Sequence, residues 1–126
     1  MGGDLSYGGL AGLSVRTLCD LQDLPDGGSR GFGPAPGGFT GLFAVRRGDD
    51  VVVYVNSCPH IGLPLNWNSD QFLSEDGTHI VCANHGAEFA IEDGYCLRGP
   101  CRGAWLEKVP VTVLDGLVKV PEDAGL

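Results

Sequence analysis

The sequence predicts an all-β fold built from antiparallel strands. Glycine and proline account for 21 and 8 of the 126 residues, and they divide the chain into short elements. The runs between them are rich in β-branched and aromatic residues, as strands are. No long window repeats its apolar residues with the period of a helix. A chain of this length is expected to form one domain.

Five strand-forming segments follow one another along the chain, each bounded by turn residues. They are LSVRTLC (13–19), the hairpin GLFAVRRGDDVVVYV (41–55), THIVC (78–82), the hairpin AEFAIEDGYCL (87–97) and AWLEKVPVTVLDGLVKV (104–120). Asp-Gly pairs at 93–94 and 115–116 predict tight turns within the last two segments. The stretch DLPDGGSRGFGPAPGG (23–38) predicts a long surface loop. Residues 1–12, rich in glycine, predict a flexible arm before a single domain of residues 13–126.

Composition restricts the class of protein and of partner. The formal net charge is −8, from 16 acidic and 8 basic residues, which argues against binding to nucleic acid and favours a partner with a basic face. No run approaches the roughly 20 apolar residues of a membrane span, and the N-terminus has no early Lys or Arg typical of a signal peptide. The odd count of five cysteines is unlike a secreted disulfide framework. We therefore expect a cytoplasmic protein that binds neither membrane nor nucleic acid.

Two short stretches each pair a cysteine with a histidine and continue with glycine. CPHIGLPLNW (58–67) has the spacing C-x-H, and CANHGAEF (82–89) has C-x2-H. Together they offer two thiolates and two imidazoles, enough for a tetrahedral zinc ion, although zinc folds usually begin with paired cysteines. Another possibility is a sulfide-bridged two-iron cluster in which one iron is bound by both cysteines and the other by both histidines. Such a cluster requires one cysteine and one histidine from each loop, and this sequence has them.

This pattern closely resembles the Rieske [2Fe-2S] family. The resemblance extends from about Leu18 to Val120 and includes Gly99-Pro100, which looks like the family's third, proline-bearing loop. It implies an antiparallel β-sandwich with a small cluster-binding subdomain, formed by the two Cys/His loops within about residues 56–101. It also implies one [2Fe-2S] cluster per chain. The implied ligands are Cys58 and Cys82 on the inner iron, and His60 and His85 on the outer, more exposed iron.

Departures from the family pattern predict a low reduction potential. High-potential members carry an extra cysteine in each loop, where this chain has Leu63 and Asn84, and they carry hydroxyl-bearing residues where it has Ala87 and Phe89. Without those hydroxyls, negative charge on the cluster is less stabilised. The potential should therefore lie near the bottom of the Rieske range of roughly −150 to +300 mV. The 21 residues between His60 and Cys82 are several more than the family usually has.

The resemblance implies a one-electron carrier, not an enzyme, that takes electrons from a reductase and delivers them to an oxygenase or other terminal oxidoreductase. Two alternatives remain open at this stage. One is a non-catalytic small subunit of a larger oxidoreductase, similar to those of assimilatory nitrite reductases, and the other is a structural zinc domain. His79 is interpreted as a half-buried structural residue. Cys96 and Cys101 are close enough in sequence to form a disulfide, although a reducing cytoplasm favours free thiols.

Overall fold

A computed structural model describes residues 14–33, 41–57, 65, 72–82, 86–99, 103–122 and 124. These residues form ten β-strands and one 3-10 turn, Leu21–Asp23. The strands are β1 (Val15–Asp20), β2 (Ser29–Phe32), β3 (Leu42–Arg47), β4 (Asp50–Val55), β5 (His79–Val81), β6 (Glu88–Ala90), β7 (Cys96–Arg98), β8 (Lys108–Val109), β9 (Thr112–Leu114) and β10 (Leu117–Pro121). No helix among the described residues is long and apolar enough to cross a membrane.

The strands form three sheets in which every pair is antiparallel. An outer sheet has the order β1-β10-β9, a central sheet has the order β2-β3-β4-β8, and a third sheet has the order β5-β6-β7. We call the third sheet the loop-bearing sheet, because Cys82 directly follows its first strand. The predicted all-β, antiparallel fold is confirmed.

The central sheet is covered on both faces. Along β3, Leu42 and Ala44 pack in a buried group with residues of the outer sheet, whereas Phe43 and Val45 pack in a second group with residues of the loop-bearing sheet. Successive strand residues point to opposite faces, so a strand with four buried residues in a row must lie between two layers. The central sheet is therefore the middle layer of three.

Aromatic residues fill the space between the central and loop-bearing sheets. Phe43 stacks on Phe72 with ring centroids 4.4 Å apart, and the ring centroids of Phe43 and Tyr54 are 5.6 Å apart. The Tyr54 hydroxyl donates to the carbonyl of Ile91 at 2.5 Å. Burial raises the pKa of Tyr54 well above its ordinary value, so this hydroxyl keeps its proton and remains a donor.

The predicted hairpins are present, and one predicted loop contains a strand. Strands β3 and β4 form the first hairpin, β6 and β7 the second, and β9 and β10 the third. In the third, Asp115 and Gly116 both adopt positive φ, +54° and +77°, as a two-residue turn of the type seen in hairpins requires. The prediction that 23–38 is entirely loop was wrong, because β2 pairs with the edge of β3. Backbone pairing does not depend on side chains, so Ser-Arg-Gly-Phe joins a preformed edge despite low strand propensity. The predicted arm, 1–12, lies outside the described residues.

The end of β7 approaches the start of β6 more closely than a side chain would allow. Gly99 has φ +102°, and a Cβ built on it would lie 2.8 Å from Ala87 Cα. The two backbones therefore meet at a position that only glycine fits. This contact is between the residue that directly follows β7 and the residue that directly precedes β6.

Phe43→Ala should lower the free energy of unfolding by about 3–5 kcal/mol, because it removes a buried ring and leaves a cavity against Phe72. Leu114→Ala, at a strand position that is 41% exposed, is the control and should cost less than about 1 kcal/mol. Chemical denaturation monitored by circular dichroism measures both. Similar losses in the two variants would contradict the burial of Phe43 between the central and loop-bearing sheets.

Gly99→Ala should be more destabilising than Gly103→Ala. Both glycines have positive φ, +102° and +93°, but a Cβ on Gly103 meets no atom within 4 Å. Backbone strain is thus common to both variants, and only Gly99→Ala adds a steric clash, which we expect to cost at least about 1 kcal/mol more. Thermal melting curves compare the two proteins, and equal shifts in melting temperature would rule out a tight contact at Ala87.

Candidate functional site

Of the four predicted ligand residues, the structure describes Cys82, which directly follows β5 and is fully buried. Cys58, His60 and His85 lie outside the described residues. The structure does describe the residues at both ends of each loop that carries them, so the way the loops are anchored can be derived.

The first Cys/His loop begins and ends at one place. Strand β4 stops at Val55, and the next residue, Asn56, donates its N–H to the Gly41 carbonyl at 2.9 Å. The Asn56 side-chain Oδ1 accepts the Leu65 N–H, also at 2.9 Å, and Leu65 is fully buried. Asparagine side chains commonly hold backbone turns in this way. The segment that carries Cys58 and His60 is therefore closed at its base by Asn56.

The second loop is closed by two backbone hydrogen bonds that both involve Cys82. Its N–H donates to the Ala87 carbonyl and its carbonyl accepts the Gly86 N–H, each at 2.8 Å. Gly86 has φ +69°, a conformation that glycine adopts without the cost other residues incur. These bonds fix the backbone of Cys82 on both sides, while its side chain lies in the core.

The third loop, which the sequence analysis placed at Gly99-Pro100, also has a defined base. The Cys96 N–H donates to the Ala104 carbonyl at 2.8 Å, and the Cys96 thiol donates to the Arg98 carbonyl at 3.2 Å. The close approach of Gly99 to Ala87 sets this loop against the second one. Cys101 lies outside the described residues, so a disulfide with Cys96 stays untested.

The three loop bases share one buried apolar group. Leu65 from the first loop, Cys82 and Ala87 from the second, and Cys96 from the third all belong to the group that contains Phe43. Packing therefore holds together loops that are far apart in sequence. The prediction that the Cys/His loops are presented together rests on this shared core.

A compact turn fixes the chain that enters β5. The Asp76 carboxylate accepts hydrogen bonds from the Ser74 hydroxyl at 2.7 Å, and from the Thr78 hydroxyl and N–H at 2.7 and 3.2 Å. These bonds, that from Ser74 first, lower the pKa of Asp76 to about 2. His79 is partly buried with Nδ1 2.9 Å from the Thr78 hydroxyl, which agrees with its predicted structural role.

Two anchoring residues were missed by the sequence analysis. Asn56 stands between a strand and a ligand motif, and that position could have identified it as a turn-capping residue. Phe72 lies among the 21 residues between His60 and Cys82, yet its carbonyl accepts the Val81 N–H at 2.9 Å and its ring stacks in the core. A lone aromatic residue in a polar stretch gives no pattern from which this could have been predicted.

The residues present fit a [2Fe-2S] cluster. The chain supplies the mixed donor set of two cysteines and two histidines, and the one donor described, Cys82, is sheltered from solvent as a ligand of an inner iron would be. Within the described residues, no group of three or more His, Cys, Asp or Glu side chains forms a competing metal site.

Comparisons with known proteins agree with this fit. The family model described as Rieske [2Fe-2S] domain matches residues 15–119. A chain in the complex of reduced oxygenase and oxidized ferredoxin in carbazole 1,9a-dioxygenase has 25% identity and a TM-score of 0.68, with 89% of this chain and 96% of that chain covered. The ferredoxin of Sphingomonas yanoikuyae B1 has 26% identity and a TM-score of 0.65, with coverages of 86% and 98%.

A third structure shares the fold. The ferredoxin of carbazole 1,9a-dioxygenase from Nocardioides aromaticivorans IC177 has 22% identity and a TM-score of 0.68, with 86% of this chain and 97% of that chain covered. A comparison with curated protein sequences gives no match. The family model nevertheless spans most of the chain, which confirms the resemblance found in the sequence and implies one [2Fe-2S] cluster per chain. This protein therefore belongs to the Rieske [2Fe-2S] domain family.

Proposed function

We propose that this protein is a one-electron carrier that takes electrons from a reductase and delivers them to a terminal oxygenase. The proposed ligands are Cys58 and Cys82 on the inner iron and His60 and His85 on the outer iron. The observation that supports this proposal is the position of Cys82. It is fully buried and lies at the closed base of the second Cys/His loop. It also belongs to the same apolar group as Leu65, which lies at the base of the first loop.

The similar structures support a carrier that works with an oxygenase. The Sphingomonas yanoikuyae B1 protein is a ferredoxin and is matched over 98% of its length, and the carbazole 1,9a-dioxygenase structure is a complex of oxygenase and ferredoxin. The sequence has three histidines, so with His60 and His85 assigned only His79 remains. A mononuclear oxygenase iron uses two histidines and a carboxylate. Oxygen chemistry would therefore require a second protein.

The chain's own residues favour a low reduction potential. When bound, the cluster supplies the site that gains and loses one electron. Ala87 and Phe89 are buried and have no hydroxyl, so neither side chain can donate a hydrogen bond to a sulfur atom, whereas high-potential members use serine and tyrosine there. A hydrogen bond to sulfur stabilises the reduced, more negative state. Its absence leaves the reduced state less stable and the potential lower.

The partners and the compartment follow from charge and cysteine content. A net charge of −8 suits a reductase and an oxygenase with basic docking faces, since opposite charges speed association. The odd number of cysteines suits a reducing compartment, so we place the carrier in the cytoplasm.

Purified wild-type protein should contain two irons and two acid-labile sulfides per chain, and Cys82→Ser should lose most of both because a ligand is removed. Cys19→Ser changes a cysteine in the other buried group and should keep both at wild-type levels. Iron and sulfide analysis, with the EPR spectrum of the reduced protein, measures the outcome. A single zinc ion in the wild type would instead indicate the structural zinc domain. A wild-type protein without any metal would indicate the non-catalytic small subunit.

The wild-type midpoint potential should lie near the bottom of the Rieske range, and Ala87→Ser should raise it by about 40 mV. This shift assumes about 1 kcal/mol for one hydrogen bond and about 59 mV per 1.4 kcal/mol for one electron. Phe89→Tyr tests the second position in the same direction. Ala90→Ser adds a hydroxyl on the alternate face of β6 and should leave the potential unchanged. A wild-type midpoint above about +100 mV in a potentiometric titration would contradict the low-potential assignment.

A further inference from the structure

Three apolar side chains stand together on the outside of the loop-bearing sheet. Trp105 is 57% exposed and Leu97 is 39% exposed. Tyr95 meets Trp105 edge to face, with ring centroids 4.8 Å apart. We call Tyr95, Leu97 and Trp105 the outer apolar face. Exposure of a tryptophan of this extent, beside a second aromatic ring and a leucine, is typical of a protein-binding surface.

The backbone of this region is a ribbon in which residues 94–96 pair with residues 104–106, and its first strand continues into β7, which also pairs with β6. The Cys96 N–H donates to the Ala104 carbonyl and the Leu106 N–H donates to the Gly94 carbonyl, each at 2.8 Å, and Tyr95 forms an antiparallel bridge with Trp105. Side chains alternate between the two faces of such a ribbon. The ribbon therefore separates an inner from an outer face.

The inner face of the ribbon belongs to the candidate cluster site. Cys96 and Leu106 are buried in the same apolar group as Cys82, and Gly99 rests against Ala87 beside the second Cys/His loop. The outer apolar face is thus one ribbon thickness away from the group that contains a proposed ligand. A protein bound there would lie close to this group.

Acidic residues border the outer apolar face. Asp93 and Glu107 precede and follow the aromatic pair in sequence, and both are exposed. Neither takes part in an ion pair within the part of the chain that the structure describes, where the two ion pairs are Arg47–Glu92 and Arg98–Glu88. Of the nearby cations, Lys108 donates to the Glu92 carbonyl and Arg98 pairs with Glu88. The carboxylates of Asp93 and Glu107 thus give this surface a negative border that complements lysine or arginine.

We propose that the outer apolar face is the docking surface for a protein electron acceptor whose contact face has an apolar recess bordered by basic residues. This inference rests on the proposed function and specifies the surface it uses. Tryptophan and tyrosine are the residue types that most often dominate binding energy at interfaces, because they bury large, stiff side chains. Trp105 is the anchor, and the carboxylates of Asp93 and Glu107 orient the partner.

The test uses the holoprotein and ferric cytochrome c, a basic electron-accepting protein whose apolar haem edge is ringed by lysines. Isothermal titration calorimetry at low ionic strength measures the Kd. Trp105→Ala should raise the Kd about tenfold, and Leu97→Ser should raise it in the same direction. Leu114→Ala, which shortens an exposed apolar side chain on the outer sheet, is the matched control and should leave the Kd within twofold.

A charge variant tests the border of the surface. The double substitution Asp93→Asn and Glu107→Gln should weaken binding at low salt, and this difference should vanish at high salt because screening removes the attraction in the wild type. The Asp93→Asn change retains a side-chain oxygen at the position that accepts the Tyr95 N–H. The double substitution Glu75→Gln and Glu122→Gln, which also removes two exposed carboxylates but at positions outside the ribbon, is the control for net charge.

The outcomes separate docking from cluster function. Iron content and midpoint potential of Trp105→Ala should equal those of the wild type, and the loss of the Tyr95 contact should lower the melting temperature by no more than a few degrees, so a loss of binding reports the surface alone. The proposal is overturned if Trp105→Ala and Leu114→Ala bind equally, or if the wild type gives no saturable binding. It is also overturned if sedimentation shows a dimer that Trp105→Ala converts to a monomer, since a second copy would then cover the face. A wild type that lacks iron would instead overturn the proposed function.

Discussion

The shared burial of the loop bases is the constraint on which the site depends. Leu65, Cys82, Ala87 and Cys96 come from three different loops, and each is held in place by packing in one apolar group around Phe43. Local hydrogen bonds close the individual loops, but they do not position one loop against another. The core does that, and it can do so because β3 is buried on both faces. The outer sheet supports the central sheet from behind, and the central sheet supports the loops.

The same arrangement separates two tasks that an electron carrier must combine. A proposed ligand such as Cys82, at zero exposure, is protected from water and from ligand exchange. Contact with a partner needs exposed groups close by, and these belong to the ribbon that carries Cys96 on its inner side. The same strand thus helps to bury Cys82 with its inner face and contributes its outer face to the proposed docking surface. Alternation of side chains along a strand makes this possible without additional structure.

Much of the fold and of the candidate site followed from the sequence, for physical reasons that differ by element. The hairpins at 41–55 and 115–116 were predictable because their strand propensity and turn chemistry are local properties. The Cys/His motifs were recognisable because the residue types and their spacing within a few positions are enough to identify them. Strand β2 could not be predicted, since its residues pair with the edge of β3 and have little strand preference of their own. Phe72 acts through its stacking on Phe43, which is far from it in the sequence, and no local pattern reports such a contact. Asn56 could have been recognised as a capping residue from its position between a strand and a Cys/His motif.

The stacking of Phe72 on Phe43 has a consequence for how the family can diversify. The Phe72 carbonyl accepts the Val81 N–H, and Leu73 bridges to Ile80, so the chain that leads into β5 is fastened before it reaches Cys82. A change in the number of residues between Leu65 and Phe72 would leave the pairing of Phe72 and Leu73 with β5 in place. A longer connection would carry little entropic cost. The register of β5 would not slip, and Cys82, the proposed ligand, would keep its place. Insertions in this segment can therefore reshape the neighbouring surface for a new partner while the redox centre is inherited unchanged.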